Sequence, residues 1–174
     1  GLTRTRLDPI FAELRERLVP LVREAEARTR DSSPDPAPAI PDLRQLEIAH
    51  SLLERVGFDF SRGAIDRATH PGTSALGFDD VRISIRPGAG ELTSVVLTAL
   101  HEGGHGLYDQ GYAAADRFTL LAASPGAALH EGQARLWENH VGRSRAFWDW
   151  FVPTLGPTGA MLSPARLHRS VNRV

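Results

Sequence analysis

The stretch LTALHEGGHGLYDQG, residues 97 to 111, carries His101, Glu102 and His105 in the order His-Glu-x-x-His. The apolar run Val95, Val96, Leu97 and Leu100 leads into it, and the spacing predicts a helix. On a helix, residues four apart stack on one face with Cβ atoms about 5–6 Å apart. Two imidazoles so placed can both reach one Zn2+ at about 2.0–2.1 Å. Glu102 is rotated about 100° from His101, so it can lean over a water on the ion without ligating. Zinc draws the pKa of such a water toward neutrality, where a carboxylate can take its proton. The chemistry this pattern predicts is metal-assisted hydrolysis.

The competing reading is a helix with two ordinary histidines and a solvated glutamate. Gly103, Gly104 and Gly106 weigh against it, because each glycine costs a helix interior about 0.8–1 kcal/mol relative to alanine. They make sense where a substrate strand or a packed neighbour approaches the backbone closely. We expect Gly103 and Gly104 to clear space between the histidines, and Gly106 to admit a packed helix.

A catalytic zinc takes three protein ligands, so a third must come from elsewhere. Asp109, His130, Glu131, Glu138 and His140 lie downstream. A third histidine six residues after the second is excluded, since that position is Gly111. Asp109 sits too close along the same helix to converge well. His130 and Glu131 point about 100° apart on a second helix, so only one can face the ion. Spacing puts these two ahead and does not choose between them.

Several elements must position these residues. Leu7, Ile10, Phe11, Leu14, Leu18, Leu21 and Val22 predict a first helix, with Asp8 and Pro9 as cap and first position and a kink or break at Pro20. Residues 28–41, rich in Pro, Ser and Asp, read as an exposed connector. A second helix runs from Asp42, paired with Gln45 in a capping box, to a stop at Gly57, with Leu43, Leu46, Leu53 and Val56 on one side. Val81, Ile83 and Ile85 alternate with Arg82, Ser84 and Arg86 in the one clear strand, which can pair with an extended peptide if it lies at a sheet edge. The site helix spans Leu92 to about Tyr108, and another runs from a Ser124–Pro125 cap to Gly142. An aromatic segment follows, with Trp148 and Trp150 joining Trp137 as core or interface aromatics. Ser163 and Pro164 then open a last helix whose stripe, Leu167 and Val171, meets no stop signal before Val174. With Gly1 at the other end, this leads us to expect a piece of a longer protein.

Composition sets the outer bounds. The 174 residues are 41% hydrophobic and 24% charged, with a net charge of −1. That charge gives no reason to expect a nucleic acid or an anionic membrane as partner, and no apolar run is long enough for a membrane span. Cysteine is absent, so there are no disulfides and no thiolate ligands.

HEGGHGLYDQG followed by LHEGQARLWENHVGRSRAFW resembles the M32 metallocarboxypeptidases, the carboxypeptidase Taq family. His70-Pro71-Gly72 is similar to that family's H-P-F motif, Asp80 to Ser84 to its D-x-R-x-T motif, and His130-Glu131-Gly132-Gln133 to its H-E-S/G-Q motif. Gly72 departs from the aromatic of the first motif and loosens packing there; Ser84 replaces a threonine and keeps its hydroxyl. The resemblance implies a mainly α-helical, zincin-like metallopeptidase core with a small β-sheet beside the HExxH helix. It further implies that residues 1–174 are the central catalytic segment of a longer protein, truncated at both ends.

On the same resemblance Glu131 is the third metal ligand beside His101 and His105, and Glu102 is the catalytic glutamate. The ion is one divalent metal, zinc first, with cobalt as an alternative. The implied activity is release of C-terminal amino acids from peptides with a free C-terminus by a cytoplasmic homodimer, with no nucleic-acid or membrane partner. His130, Arg82 and His70 are the candidates for holding substrate; Arg82 can instead pair with Asp80 or Glu91. Tyr108 and Tyr112 can donate to an oxyanion, though packing suits them better. The family's I-R-x-x-A-D motif is missing, so we expect this segment to bind metal but hydrolyse peptides poorly or not at all. Two other readings stand beside it: an HExxH endopeptidase or amidase of another lineage, and a non-catalytic metal-binding fragment that associates with missing segments or a second copy.

Overall fold

The computed structural model describes residues 3–29, 39–88, 92–124 and 126–173. The chain divides into two units, Gly1–Asp35 with Asn172–Val174, and Pro36–Val171.

The first unit holds helix α1, Arg4–Thr29. It begins ahead of the expected Asp8–Pro9 cap, with the amides of Arg6 and Leu7 bonded to the Thr3 carbonyl. Pro9 and Pro20 both lie inside it, so Pro20 does not divide the helix. Each proline removes one amide donor. Neighbouring turns are laced by i,i+4 ion pairs, Arg4–Asp8, Glu13–Arg17 and Glu24–Arg28, each supporting helix by about 0.2–0.5 kcal/mol. The expected connector therefore yields Arg28 and Thr29 to α1, and its residues 30–38 lie outside the described residues.

The second unit is built around helix α2, Asp42–Arg55, a three-stranded sheet and helix α3, Leu92–Gln110. Pro41, not Asp42, caps α2, and no side-chain capping bond forms. Gln45 is drawn inward instead, donating to the Ile40 carbonyl at 2.7 Å and accepting from the Gly88 amide at 3.2 Å. The buried face is consequently Gln45, Ile48, Ala49, Leu52 and Leu53, while Leu43 is exposed. Gly57, at φ 101°, stops the helix as expected.

The sheet has the order β1-β3-β2, with β1 Gly63–Arg67, β2 Gly72–Gly77 and β3 Asp80–Ile85. β1 runs parallel to β3 and β2 antiparallel to it, with Thr73 opposite Ile83. The strand recognised by its alternation is thus the central one. Both its edges are paired within the chain, so it offers no edge to a peptide. Val81, Ile83 and Ile85 are buried against α3 while Arg82 and Arg86 stay exposed.

Helix α4, Ala127–Arg135, follows a Gly126 N-cap at φ 135° and continues as a π-helix over Leu136–Gly142. Ser124 is not the cap: its hydroxyl contacts the main chain of Gly126, and Pro125 lies outside the described residues. Helix α5, Arg145–Phe151, is capped by Ser144; the short α6, Pro157–Ala160, and α7, Pro164–Val171, complete the unit. Trp148 and Phe151 join Leu52, Ile83, Val96, Leu100, Leu167 and Val171 in one core, while Trp150 is half exposed. No helix among the described residues is long and apolar enough to cross a membrane.

Candidate metal centre

α3 presents His101 and His105 one turn apart, and α4 lies alongside α3. Gly104 makes that approach possible. A Cβ there would stand 2.8 Å from the Ala134 Cα and 3.2 Å from the Gln133 carbonyl oxygen. The expectation for the glycines is thereby corrected: Gly104 admits the packed helix, Gly103 receives the Leu53 side chain, and Gly106 lies against Phe58 and Ile83. They clear space for packed neighbours rather than between the histidines.

The close approach brings Glu131 over the two histidines. Its Oε2 lies 3.5 Å from Nε2 of His105 and 3.8 Å from Nε2 of His101. Ligand atoms of the three residues all fall within 4.8 Å of one another. A tetrahedral ion with bonds of about 2.0–2.1 Å asks its donors to stand roughly 3.3–3.4 Å apart, so the two imidazoles and the carboxylate can hold one divalent ion by drawing closer together. Burial, reinforced by His130 and His101, holds the His105 imidazole below its ordinary 6.5. The Arg135 hydrogen bond holds the Glu131 carboxyl below its ordinary 4.5. Both shifts favour the protonation states that bind metal, neutral imidazole and carboxylate.

The other third-ligand candidates are turned to different tasks. Oε2 of Glu138 lies 2.9 Å from Nδ1 of His101. Asp109 lies 3.3 Å from Nε2 of His130. His130 in turn stacks on His105 at 4.4 Å and meets Tyr108 edge-on at 5.1 Å. His140 is exposed. Tyr108 and Tyr112 pack edge to face.

Glu102 is buried, and Thr73 of β2 fixes it: the Thr73 hydroxyl lies 2.8 Å from Oε2 of Glu102 and 2.9 Å from its main-chain carbonyl. Sequence patterning gave no signal for Thr73, because β2 shows no alternation. A cleft of about 400 Å3 opens beside this group, lined by His101, Glu102, Glu138, Arg135 and Pro71. Pro71, Ser94 and Thr98 also border a second hollow of about 380 Å3, where His70 and Arg86 stand. Arg82 is not brought to the cleft walls. It forks onto Asp80 with two bonds of 2.9 Å on the exposed face of β3, and Glu91 lies outside the described residues. Gly72 has room for a side chain, the nearest atom to an added Cβ being the Ser84 hydroxyl at 3.8 Å.

A family model described as carboxypeptidase Taq (M32) metallopeptidase matches residues 1–174. The chain is 35% identical over 179 aligned residues to thermostable carboxypeptidase 1 of Thermus thermophilus, covering 100% of this chain and 35% of that protein. It is 33% identical over 151 residues to carboxypeptidase 1 of Bacillus subtilis, covering 85% of this chain and 30% of that protein. Its structure is similar to that of an M32 carboxypeptidase from Deinococcus radiodurans R1, with a TM-score of 0.84 at 39% identity, covering 100% of this chain and 36% of that one. The chain spans about a third of the length of these relatives.

Proposed function

Because the chain belongs to the carboxypeptidase Taq (M32) metallopeptidase family, we propose that it carries the catalytic centre of a metal-dependent carboxypeptidase. Its substrate is a peptide with a free C-terminus and its ion a single divalent metal, zinc first and cobalt second. The observation that carries the reading is the convergence of Nε2 of His101, Nε2 of His105 and Oε2 of Glu131, with Glu102 beside His101 in the wall of the adjoining cleft.

When bound, the ion supplies Lewis acidity, polarising the scissile carbonyl and acidifying water. Proton transfer belongs to Glu102. Thr73 occupies its Oε2, so Oε1 accepts the proton of the attacking water and returns it to the amine nitrogen of the departing amino acid. The water oxygen joins the carbonyl carbon as the C–N bond breaks, leaving a shortened peptide and a free amino acid. His130, which stacks on His105, and His70, in the adjoining hollow, would hold substrate in this reading, supported by these positions. Arg82 is the weaker candidate, since Asp80 fills its fork. The family reading also carries a homodimeric, cytoplasmic enzyme.

The test separates metal uptake from chemistry. The 174-residue chain should take up one divalent ion per molecule by calorimetry, and His101→Ala or Glu131→Ala should abolish or greatly weaken that uptake. Glu102→Gln should leave uptake intact and cut release of C-terminal residues by about 10²–10⁴. Uptake that survives loss of both His101 and Glu131, or turnover indifferent to Glu102, overturns the reading.

A further inference from the structure

Glu138 has no place among the converging ligand atoms, yet it touches the site at the rear of a ligand. Its Oε2 lies 2.9 Å from Nδ1 of His101, and its side chain is 16% exposed. The same oxygen accepts a hydrogen bond from Nη1 of Arg135 at 3.1 Å. Arg135 then reaches back along its own helix, its Nε donating to Oε1 of Glu131 at 2.8 Å. Residues 131, 135 and 138 follow the i, i+4, i+7 spacing of one helical face. That face runs across the point where α4 passes into its π-helical stretch. The result is a closed circuit of side chains: His101, Glu138, Arg135, Glu131 and back to His101.

We propose that Glu138 and Arg135 are positioning residues of the metal centre, each fixing the donor atom that one ligand offers. The proposal rests on the metal-binding reading of His101, His105 and Glu131. A carboxylate only accepts, so the 2.9 Å contact requires the proton of a neutral His101 ring to sit on Nδ1. That leaves the free lone pair on Nε2, which lies 3.8 Å from Oε2 of Glu131. A carboxylate behind a metal-binding imidazole also makes it a better base. Arg135 acts on the other side. By occupying Oε1 of Glu131 it leaves Oε2 alone to face the histidines, so Glu131 offers one oxygen rather than two. His105 supplies the internal contrast: its Nδ1 is buried without a hydrogen-bond partner among the described residues. The circuit therefore sets His101 and Glu131 specifically and does not extend to both histidines.

The experiment uses the whole 174-residue chain with Zn2+ or Co2+ as probe. Chelator competition gives the metal Kd, the visible spectrum of the Co2+ form gives the coordination, and nitrogen-15 NMR of the metal-free chain gives the imidazole tautomers. Glu138→Ala should raise the Zn2+ Kd by about 10- to 100-fold and release His101 into a mixture of tautomers. Glu138→Gln, which keeps an acceptor and the side-chain shape, should fall between Glu138→Ala and the parent, and it serves if the alanine variant does not fold. Arg135→Met should change the Co2+ spectrum toward higher coordination as the second oxygen of Glu131 becomes free. A Glu138→Ala chain with a Kd within twofold of the parent and His101 still protonated at Nδ1 overturns the proposal. If the parent chain takes up no metal, the metal-centre reading itself falls, while the tautomer measurement on the metal-free chain still decides what Glu138 does to His101.

Discussion

In the proposed proton transfer, Thr73 is the residue that fixes Glu102 without taking part in the step. One hydroxyl hydrogen is shared between the Glu102 carboxylate and its own carbonyl, which ties a flexible side chain to the strand opposite. Hydrogen bonds to charged groups contribute about 1.5–3 kcal/mol, and each 1.36 kcal/mol is tenfold in rate. Thr73→Val keeps the branched shape and removes the hydroxyl. We expect it to lower the peptide-release rate by about tenfold or more while the metal Kd stays within twofold, and Thr73→Ser to restore most of the rate; steady-state kinetics beside chelator titration reads both. At this scale the sequence was legible wherever local geometry sufficed. The His101–His105 pair follows from helical spacing alone. The choice between His130 and Glu131 does not, because Ala134 is the only buried residue of α4 and no stripe sets the helix phase. Thr73 and the link from Glu138 to His101 join residues 29 and 37 positions apart, which no local pattern encodes.

The decisive element pair is α3 with α4, and its separation is set by what Gly104 lacks. A methyl group there would meet backbone, the Ala134 Cα at 2.8 Å, which cannot swing aside as a side chain can. Overpacking of this kind costs about 1–3 kcal/mol, and the better helix propensity of alanine returns about 1. Gly104→Ala should therefore change Tm modestly. The larger effect should fall on the site, since moving α4 outward carries Glu131 away from the histidines; we expect the metal Kd to rise at least tenfold in chelator titration. Gly132→Ala is the control. No atom lies within 4 Å of its added Cβ, so it should leave metal affinity unchanged and keep the propensity gain. The elements themselves were legible in proportion to how one-sided their burial is. β3 alternates because it is central and covered on one face. β1 and β2 are edge strands, exposed over much of their length and containing glycine, so nothing in their sequence separates them from loop. The α2 face shifted by a residue or two because buried Gln45 satisfies main-chain groups at both Ile40 and Gly88, a role that hydrophobicity does not register.

At the scale of the molecule, the mainly helical class and the start of the last helix are plain in the sequence, but that helix ends at Val171 rather than running on to Val174, and the sheet that backs the site helix shows in the sequence only as one strand. What joins that sheet to its surroundings is partly electrostatic, and this gives stability a pH signature. Asp79, in the turn between β2 and β3, accepts from Arg62 at 2.8 Å and from Arg117 at 2.9 and 3.0 Å. It thereby ties together the segment before β1, the hairpin and the loop after α3. The Arg62 hydrogen bond above all holds the Asp79 carboxyl below its ordinary 3.8; burial opposes it, and the lesser hydrogen bond from Arg117 adds to the lowering. A carboxyl whose folded value is depressed stabilises the fold fully above the unfolded value. That contribution is lost as pH falls from 3.8 through the lower folded value. Asp79→Asn should accordingly lower Tm near neutral pH, by a few degrees or less because exposed ion pairs contribute little, and the gap should close as the pH drops below 3.8. Because the contacts pair opposite charges at the surface, the gap should also shrink with added salt at neutral pH. Scanning calorimetry of parent and variant from neutral to acid pH decides it; a Tm difference that persists unchanged below the carboxyl range would assign Asp79 a steric role in the turn rather than an ionic one.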